Sequence, residues 1–328
     1  MKFSNLNIRL QRFVVIAGVL LLIAKFSAYL LTKSNAILTD ALESIVNVIA
    51  AILGLYSLQL SAKPRDTDHP YGHGKIEFIS ASVEGTLVFI AGVFIIGKTI
   101  YSFFFPHAIQ QLNTGIIIVA ATGVVNFLLG FICERQGKKT DSLALIASGK
   151  HLQSDAWSTG GIILALLLIT ITGWKILDNI VAIGFGIFIA IIGLRLLRKA
   201  IAGIMDEADT ELLKKIISHL NEHRHPAWVD LHNMRVIKYG NVLHVDCHVT
   251  VPWYYNVREA HAEVAAVDQE IENSLSNPVE FFVHTDACAP PQQCKVCIKS
   301  DCNVRESAFE KKVEWDLETS LRNKKHGL

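Results

Sequence analysis

No excess of charge of either sign marks this chain: 31 Lys and Arg stand against 30 Asp and Glu, a formal net charge of +1. The basic residues sit mainly beside apolar segments rather than on one face, so the charge pattern gives no reason to expect a nucleic-acid partner. A cleavable leader is not expected either. The apolar stretch from Phe13 to Leu31 is long enough to span a bilayer and has no small-residue cleavage pattern at its end. There is no His-Glu-x-x-His sequence and no Ser/His or Cys/His pair in a convincing span context, which argues against an intramembrane metalloenzyme and for a chain that is not an enzyme. Organelle-targeting signals are absent as well, so the expected location is the inner, cytoplasmic membrane of a bacterium.

What is present is apolar length. The 328 residues are 51% hydrophobic, with a mean hydropathy of +0.36. That average hides a division near Lys199, because the long apolar runs precede it and most histidines and cysteines follow it. Runs of roughly 20 apolar residues predict spans near 13–32, 36–60, 79–104, 114–134, 146–172 and 178–199. Six spans put both termini on one side. The loops there hold Lys63, Arg65 and Lys75, then Arg135, Lys138 and Lys139, and finally Arg195, Arg198 and Lys199, while the opposite loops carry only Lys33 and Lys175. By the positive-inside rule the richer side, with both termini, is cytoplasmic.

Polar residues interrupt two of the spans. The second contains Asp40, Glu43 and Asn47, and the fifth contains His151 and Asp155, although a central acidic residue costs about 2.5–3.5 kcal/mol on insertion scales. Glu43 and Asn47 are four apart, as are His151 and Asp155, so each pair occupies one helix face. If two such faces meet, they offer an imidazole and up to three oxygens, enough for tetrahedral coordination of a dication. Asp40, one turn earlier, suits a ligand, a proton carrier or a helix-end hydrogen-bonding residue. The alternative is a structural polar network between packed helices. In the loop after the second span, Asp66, His69 and His73 fall within eight residues, flanked by two glycines that let ligands converge; a solvated polar turn is the other reading.

The second half reads as a helix over 206–224, a strand over 231–238, a strand over 242–251, a helix over 257–275 and a strand over 279–285. This α-β-β-α-β order predicts a small α+β domain, ferredoxin-like or metallochaperone-like, with its helices on one sheet face. In the second strand, Leu243, Val245, Cys247 and Val249 alternate with His244, Asp246, His248 and Thr250, which gives the other face its metal donors. His232, His261, His284 and Asp286 add donors at strand or helix ends, a set suited to zinc-like ions. Beyond it lie Cys288, Cys294, Cys297 and Cys302. The gap in Cys294-Lys295-Val296-Cys297 permits chelation by two thiolates, and unrelated thiols on a mobile tail are the alternative. The expected organisation is 1–204 as a membrane all-α bundle of six transmembrane helices, 205–290 as the cytoplasmic domain and 291–328 as a Cys-containing tail.

Three segments resemble the cation diffusion facilitators: Ser34-Asn35-Ala36-Ile37-Leu38-Thr39-Asp40-Ala41, His69-Pro70-Tyr71-Gly72-His73-Gly74-Lys75-Ile76-Glu77, and His151-Leu152-Gln153-Ser154-Asp155. The likeness runs from about residue 10 to 290. It implies a homodimer in membrane lipid that exports a divalent metal, zinc foremost, in exchange for protons. By that resemblance Glu43, Asn47, His151 and Asp155 fall on the transport site, and Asp66, His69 and His73 on the loop site. His232, His248, His261, His284 and Asp286 fall on the cytoplasmic sites, and Lys75 and Asp206 on a charge interlock. The chain departs from the zinc-selective pattern at Glu43 and Asn47. An oxygen-rich site with one imidazole keeps Fe(II), Co(II) and Mn(II) open beside zinc. A membrane-bound metal sensor that moves no ion is the competing class, and the polar residues inside the spans weigh against it.

Overall fold

The architecture is that of a computed structural model. Its backbone is described for residues 2–32, 35–104, 112–172, 176–240, 242–275 and 277–326; within the helices, the side chains of 2–5, 28–29, 31–32, 35–40, 42–43, 46, 102–103, 112–116, 119, 158, 162–172, 176–179, 181–182 and 185 fall outside the description. The chain divides into two compact units, Met1–Met205 and Asp206–Leu328.

The first unit contains α1 (Lys2–Thr32), α2 (Asn35–Ser61), α3 (Ile76–Phe104), α4 (Leu112–Thr140), α5 (Leu143–Thr172) and α6 (Ile176–Ile204). Each apolar run expected from the sequence lies inside one of them. Among the described residues, Leu6–Ser27 and Ile76–Tyr101 are long and apolar enough to cross a membrane. Large apolar side chains such as Leu20, Phe94 and Phe131 point outward and are more than half exposed, as a lipid-facing surface requires.

Glycine sets how closely two helix pairs approach. A Cβ at Gly193 of α6 would stand 2.4 Å from the Phe89 nitrogen of α3, and one at Gly92 of α3 would stand 2.6 Å from the Ala190 nitrogen of α6. Gly85 and Gly92 lie two turns apart on α3, as do Gly186 and Gly193 on α6, so the contact repeats along one seam. The α4–α5 pair uses the same device, with the Gly149 position 2.6 Å from the Glu134 nitrogen. Where the solvent is itself apolar, backbone contact through small residues supplies the attraction that hydrophobicity cannot.

The second unit runs α7 (Thr210–Glu222), β1 (Asp230–Tyr239), β2 (Val242–Val251), α8 (Val257–Ser274), β3 (Val279–Ala287) and α9 (Leu317–Leu321). Strand order is β1-β2-β3, antiparallel between β1 and β2 and parallel between β2 and β3. The hairpin turns at Gly240, whose φ of 63° a side chain would disfavour. The parallel pair needs a crossover, and α8 supplies it. Its start is fixed by a capping box between Asn256 and Glu259. The apolar set Leu243, Val245, Cys247 and Val249 packs with Leu213, Ile216, Ile217 and Leu220 of α7 and Val267 and Ile271 of α8 in one core. Burial of that set is the main stabilising term.

The segment after 291 packs into this unit. Trp315 belongs to its core and is 4% exposed, with the Arg224 guanidinium 4.0 Å over its ring. Arg224 also donates to the Val313 carbonyl at 2.6 Å, and the Asn233 amide donates to the Arg322 carbonyl at 2.8 Å, which ties α9 to β1. Burial pulls the Arg224 pKa down to about 10, so it stays cationic at neutral pH.

Asp209 caps α7 by accepting from the Leu212 amide at 3.1 Å and pairs with Lys238 at 2.7 Å. Burial opposes ionisation of this carboxyl, but Lys238 and the helix amide outweigh it and hold the pKa below the usual range. A lowered folded pKa stabilises above the unfolded value near 3.9, and that contribution disappears as pH falls through the folded pKa. We expect Asp209→Ala to cost about 1 kcal/mol at pH 7. Asp209→Asn should cost less, because it keeps the cap, and its cost should fade as pH falls through the lowered carboxyl pKa, whereas Asp209→Ala should retain the part due to the lost cap. Thermal melts of the full chain against pH measure both.

Candidate metal sites

In the helical unit, α2 and α5 bring Asn47, His151 and Asp155 together. His151 Nε2 lies 2.8 Å from Asn47 Oδ1 and 4.0 Å from Asp155 Oδ2, and the Asn47 amide donates to the same Asp155 oxygen. His151 is 6% exposed. The spacing of four that put His151 and Asp155 on one face of α5 aims both at Asn47. Asp40 and Glu43 lie on α2, but their side chains fall outside the described residues.

The loop between α2 and α3 gathers Asp66, His69 and His73, whose donor atoms all lie within 4.8 Å of one another. Asp66 Oδ1 accepts from the amides of Asp68 at 3.1 Å and His69 at 2.7 Å, an Asx turn that curls the chain back on itself. His69 Nδ1 lies 3.1 Å from Oδ1 and His73 Nε2 lies 3.3 Å from Oδ2. Gly72, at φ 88°, makes the bend that returns His73 to the carboxylate. The His69 amide, helped by the two rings and opposed by desolvation, holds the Asp66 carboxyl below its usual range. Lys75 follows in the same unit, whereas Asp206 opens the second.

The sheet carries a third group. Strand register places His232 opposite His248 and His248 opposite His284, one row of imidazoles across all three strands. His232, His248 and Asp286 have donor atoms within 4.8 Å of one another: Asp286 Oδ2 is 3.5 Å from His232 Nε2 and 3.2 Å from His248 Nδ1, and its Oδ1 is 3.9 Å from His284 Nε2. His261 is exposed on α8 and is not part of this group. Behind His232, the buried Asp230 places Oδ2 3.2 Å from Nδ1, a carboxylate beside the far nitrogen of a candidate ligand. Burial opposes ionisation of Asp230, yet hydrogen bonds from His232 and His326 hold it well below the usual carboxylate range. Lys325 Nζ lies 3.1 Å from Asp286 Oδ1 and, against partial burial, keeps that carboxyl ionised to a lower pH than usual.

Sequence reasoning missed a further group. His219 and His223 of α7 meet Glu270 of α8, with His219 Nε2 at 2.9 Å and His223 Nδ1 at 3.9 Å from the same oxygen. The signal available was the separation of four between the histidines; the carboxylate arrives only through the packing of α7 on α8. Glu84 of α3, 0% exposed and accepting from Ser148 at 3.2 Å, was also passed over inside an apolar run.

Residues 10–205 match the family model described as the cation efflux transmembrane domain, and 208–288 match that of the cation efflux protein cytoplasmic domain. A Synechocystis protein described as an uncharacterized transporter is 32% identical over 252 residues, 77% of this chain and 81% of its own length. Proteins named cation-efflux pump FieF share 28% identity over 276 residues in Citrobacter koseri (84% of this chain, 90% of the relative) and 27% over 271 in Escherichia coli K12 (82% and 89%). The two matched domains make this a membrane transport protein with a cytoplasmic α+β domain. It belongs to the cation efflux family, the cation diffusion facilitators.

The sheet group depends on one irregular position. Asn233 sits at φ 52° in the bulge where the β1–β2 register shifts between His232 and Arg235, and its side-chain amide lies 3.0 Å from His248 Nε2. Asn233→Val places a β-branched residue in the left-handed region and should cost about 1–3 kcal/mol. Asn233→Gly should keep the fold while releasing His248. Circular dichroism melts of the two variants separate backbone strain from loss of the hydrogen bond.

Proposed function

We propose that this protein exports a divalent metal ion, zinc foremost, across the cytoplasmic membrane in exchange for protons. The observation that carries the reading is the meeting of Asn47, His151 and Asp155 between α2 and α5 inside a transmembrane-type unit. Three polar side chains from two helices, one of them an acid, are costly in lipid and suited to a cation. Glu43 and Asp40, on the same helix as Asn47, complete the donor set in this reading, with α1 to α6 as six spans and both termini cytoplasmic. The FieF relatives are named cation-efflux pumps, which supports efflux as the direction. The oxygen-rich set also accommodates Fe(II), Co(II) and Mn(II).

Metal and protons compete for the same atoms. The imidazole of His151 holds either a proton or a metal ion on the same nitrogen, so a proton arriving from the acidic side competes with the ion and expels it. The loop group of Asp66, His69 and His73 is a second binding step near the cytoplasmic entrance. The row His232, His248 and His284 with Asp286, joined by His261 on metal loading, is regulatory. It favours a closed homodimer by binding that state more tightly.

Uptake into proteoliposomes under an imposed pH gradient, with Zn(II), Fe(II), Co(II) and Mn(II) compared, tests the transport. Flux should follow the gradient and fall to the level of empty liposomes in Asp155→Ala and His151→Ala, both still inserted. Gradient-driven flux unchanged in His151→Ala removes that residue from the exchange, and no flux of any metal in the wild type points to a sensor. For regulation, metal should compact the wild-type dimer in small-angle scattering and leave His248→Ala unchanged.

A further inference from the structure

The four cysteines after β3 take no part in the reading above, and the fold brings them around one cavity. Cys288, Cys294, Cys297 and Cys302 line one small opening together with Val229, Pro252, Trp253 and Tyr254. None is in a disulfide. Cys288 is fixed at the end of the β2–β3 ladder by its amide bond to the Val251 carbonyl at 2.9 Å, and the Trp253 amide points at its sulfur from 3.4 Å. An N–H aimed at sulfur suits a thiolate more than a thiol.

The other three are gathered by backbone, not by packing. A 3-10 turn at Gln293–Lys295 and the Cys297 amide bond to the Gln293 carbonyl at 3.0 Å hold Cys294 and Cys297 on one knuckle. Gln293 closes that knuckle by accepting from the Ala289 amide at 2.7 Å. Arg305 then ties the loop to it, donating to the carbonyls of Cys294 at 2.6 Å, Cys297 at 3.0 Å and Lys299 at 2.7 Å, which brings Cys302 to the same opening. Cys294 and Cys297 are 8% and 9% exposed, and apart from Val296 no aliphatic side chain between 290 and 312 is buried. A segment with so small a core needs a cross-link, and in a reducing cytoplasm a disulfide is not the default.

We infer that Cys288, Cys294, Cys297 and Cys302 bind one zinc-like ion in a four-thiolate structural site that pins the C-terminal segment to the end of the sheet. Spacers of five, two and four residues between the cysteines give one tight chelating pair and two ligands from flanking loops. The four sulfurs are set more widely than the donor atoms of the groups described above. A tetrahedral site with Zn–S of about 2.3 Å separates its sulfurs by about 3.8 Å, so binding draws them inward. Arg305 and Lys299 also line the opening, Lys299 paired with Asp301 at 2.9 Å. The consequence reaches the sheet group, because the same segment carries Lys325 to Asp286 and His326 to Asp230.

The test is metal content and spectroscopy of the purified full-length protein, and it stands apart from any transport assay. After dialysis against a weak chelator, one zinc per chain should remain, and titration with a mercurial should release it as four thiols react. Replacement by Co(II) should give the near-ultraviolet sulfur-to-cobalt charge-transfer band and the intense visible bands of a tetrahedral tetrathiolate. Cys297→Ser should lose that ion and its bands, while His248→Ala should keep both. Wild-type protein without the charge-transfer band overturns the inference, and so does mass spectrometry of freshly lysed cells that finds these cysteines paired as disulfides. Those two readings need no variant, so they decide the matter even where Cys297→Ser fails to fold.

Discussion

Everything in the helical unit answers to the cost of placing hydrogen-bonding and charged groups where there is no water. A carboxylate inside an apolar bundle must be met by donors, and Asp155 is met by the Asn47 amide with the His151 ring 4.0 Å away. Those partners come from a different helix, so α2 and α5 must approach in one register for the group to exist. Neighbouring helices meet through glycine, with Gly92 on α3 and Gly193 on α6 joining that pair and Gly149 on α5 bringing α5 against α4, so that backbone touches backbone. The glycines hold helix pairs together, and Asp155 is met by a polar partner from α2, two separate answers to the same absence of water.

The cytoplasmic unit solves a different problem with the same chemistry. A strand alternates its faces, so the apolar set of β2 can feed a core while His244, Asp246 and His248 face the other way, and pairing converts one histidine per strand into a row. His232 is then supported from behind by Asp230 and from the front by Asp286. Two carboxylates around one imidazole would repel each other without donors nearby; the Lys325 ammonium stands beside Asp286, and the His326 backbone amide donates to Asp230. The C-terminal segment therefore supplies charge to the sheet group.

Much of this was legible in the amino-acid order. Periodicity gave the α-β-β-α-β sequence with boundaries within a few residues of those observed, and the eight-residue window holding Asp66, His69 and His73 marked a convergent loop because Gly72 is where the chain must bend. The row of histidines was half visible: alternation puts His248 on the donor face, but only the antiparallel and then parallel pairing aligns it with His232 and His284. What could not be read depends on contacts between elements distant in sequence. Glu270 meets His219 and His223 only because α8 packs on α7, and Trp315 enters the core from 94 positions beyond its hydrogen-bond partner Asn221. A tail read as separate at 291 looks polar and short of helix-forming pattern, and its order comes from Arg224, Arg305 and the β1 edge instead.

That dependence explains why the tail is attached by polar contacts to three places at once. Arg224 holds Val313 while lying over Trp315, the Asn233 amide holds Arg322, and Lys325 and His326 reach Asp286 and Asp230. Each of these on its own is worth on the order of 1 kcal/mol, less than the entropy lost by ordering the residues that make it. The attachments hold only as a set, together with the buried Trp315 ring. Asn233 belongs to that set at one end and to His248 at the other, since its backbone amide serves the tail while its side chain serves the sheet. Asn233 and Lys325 thus join the sheet group to the tail at two points, one on β1 and one on β3.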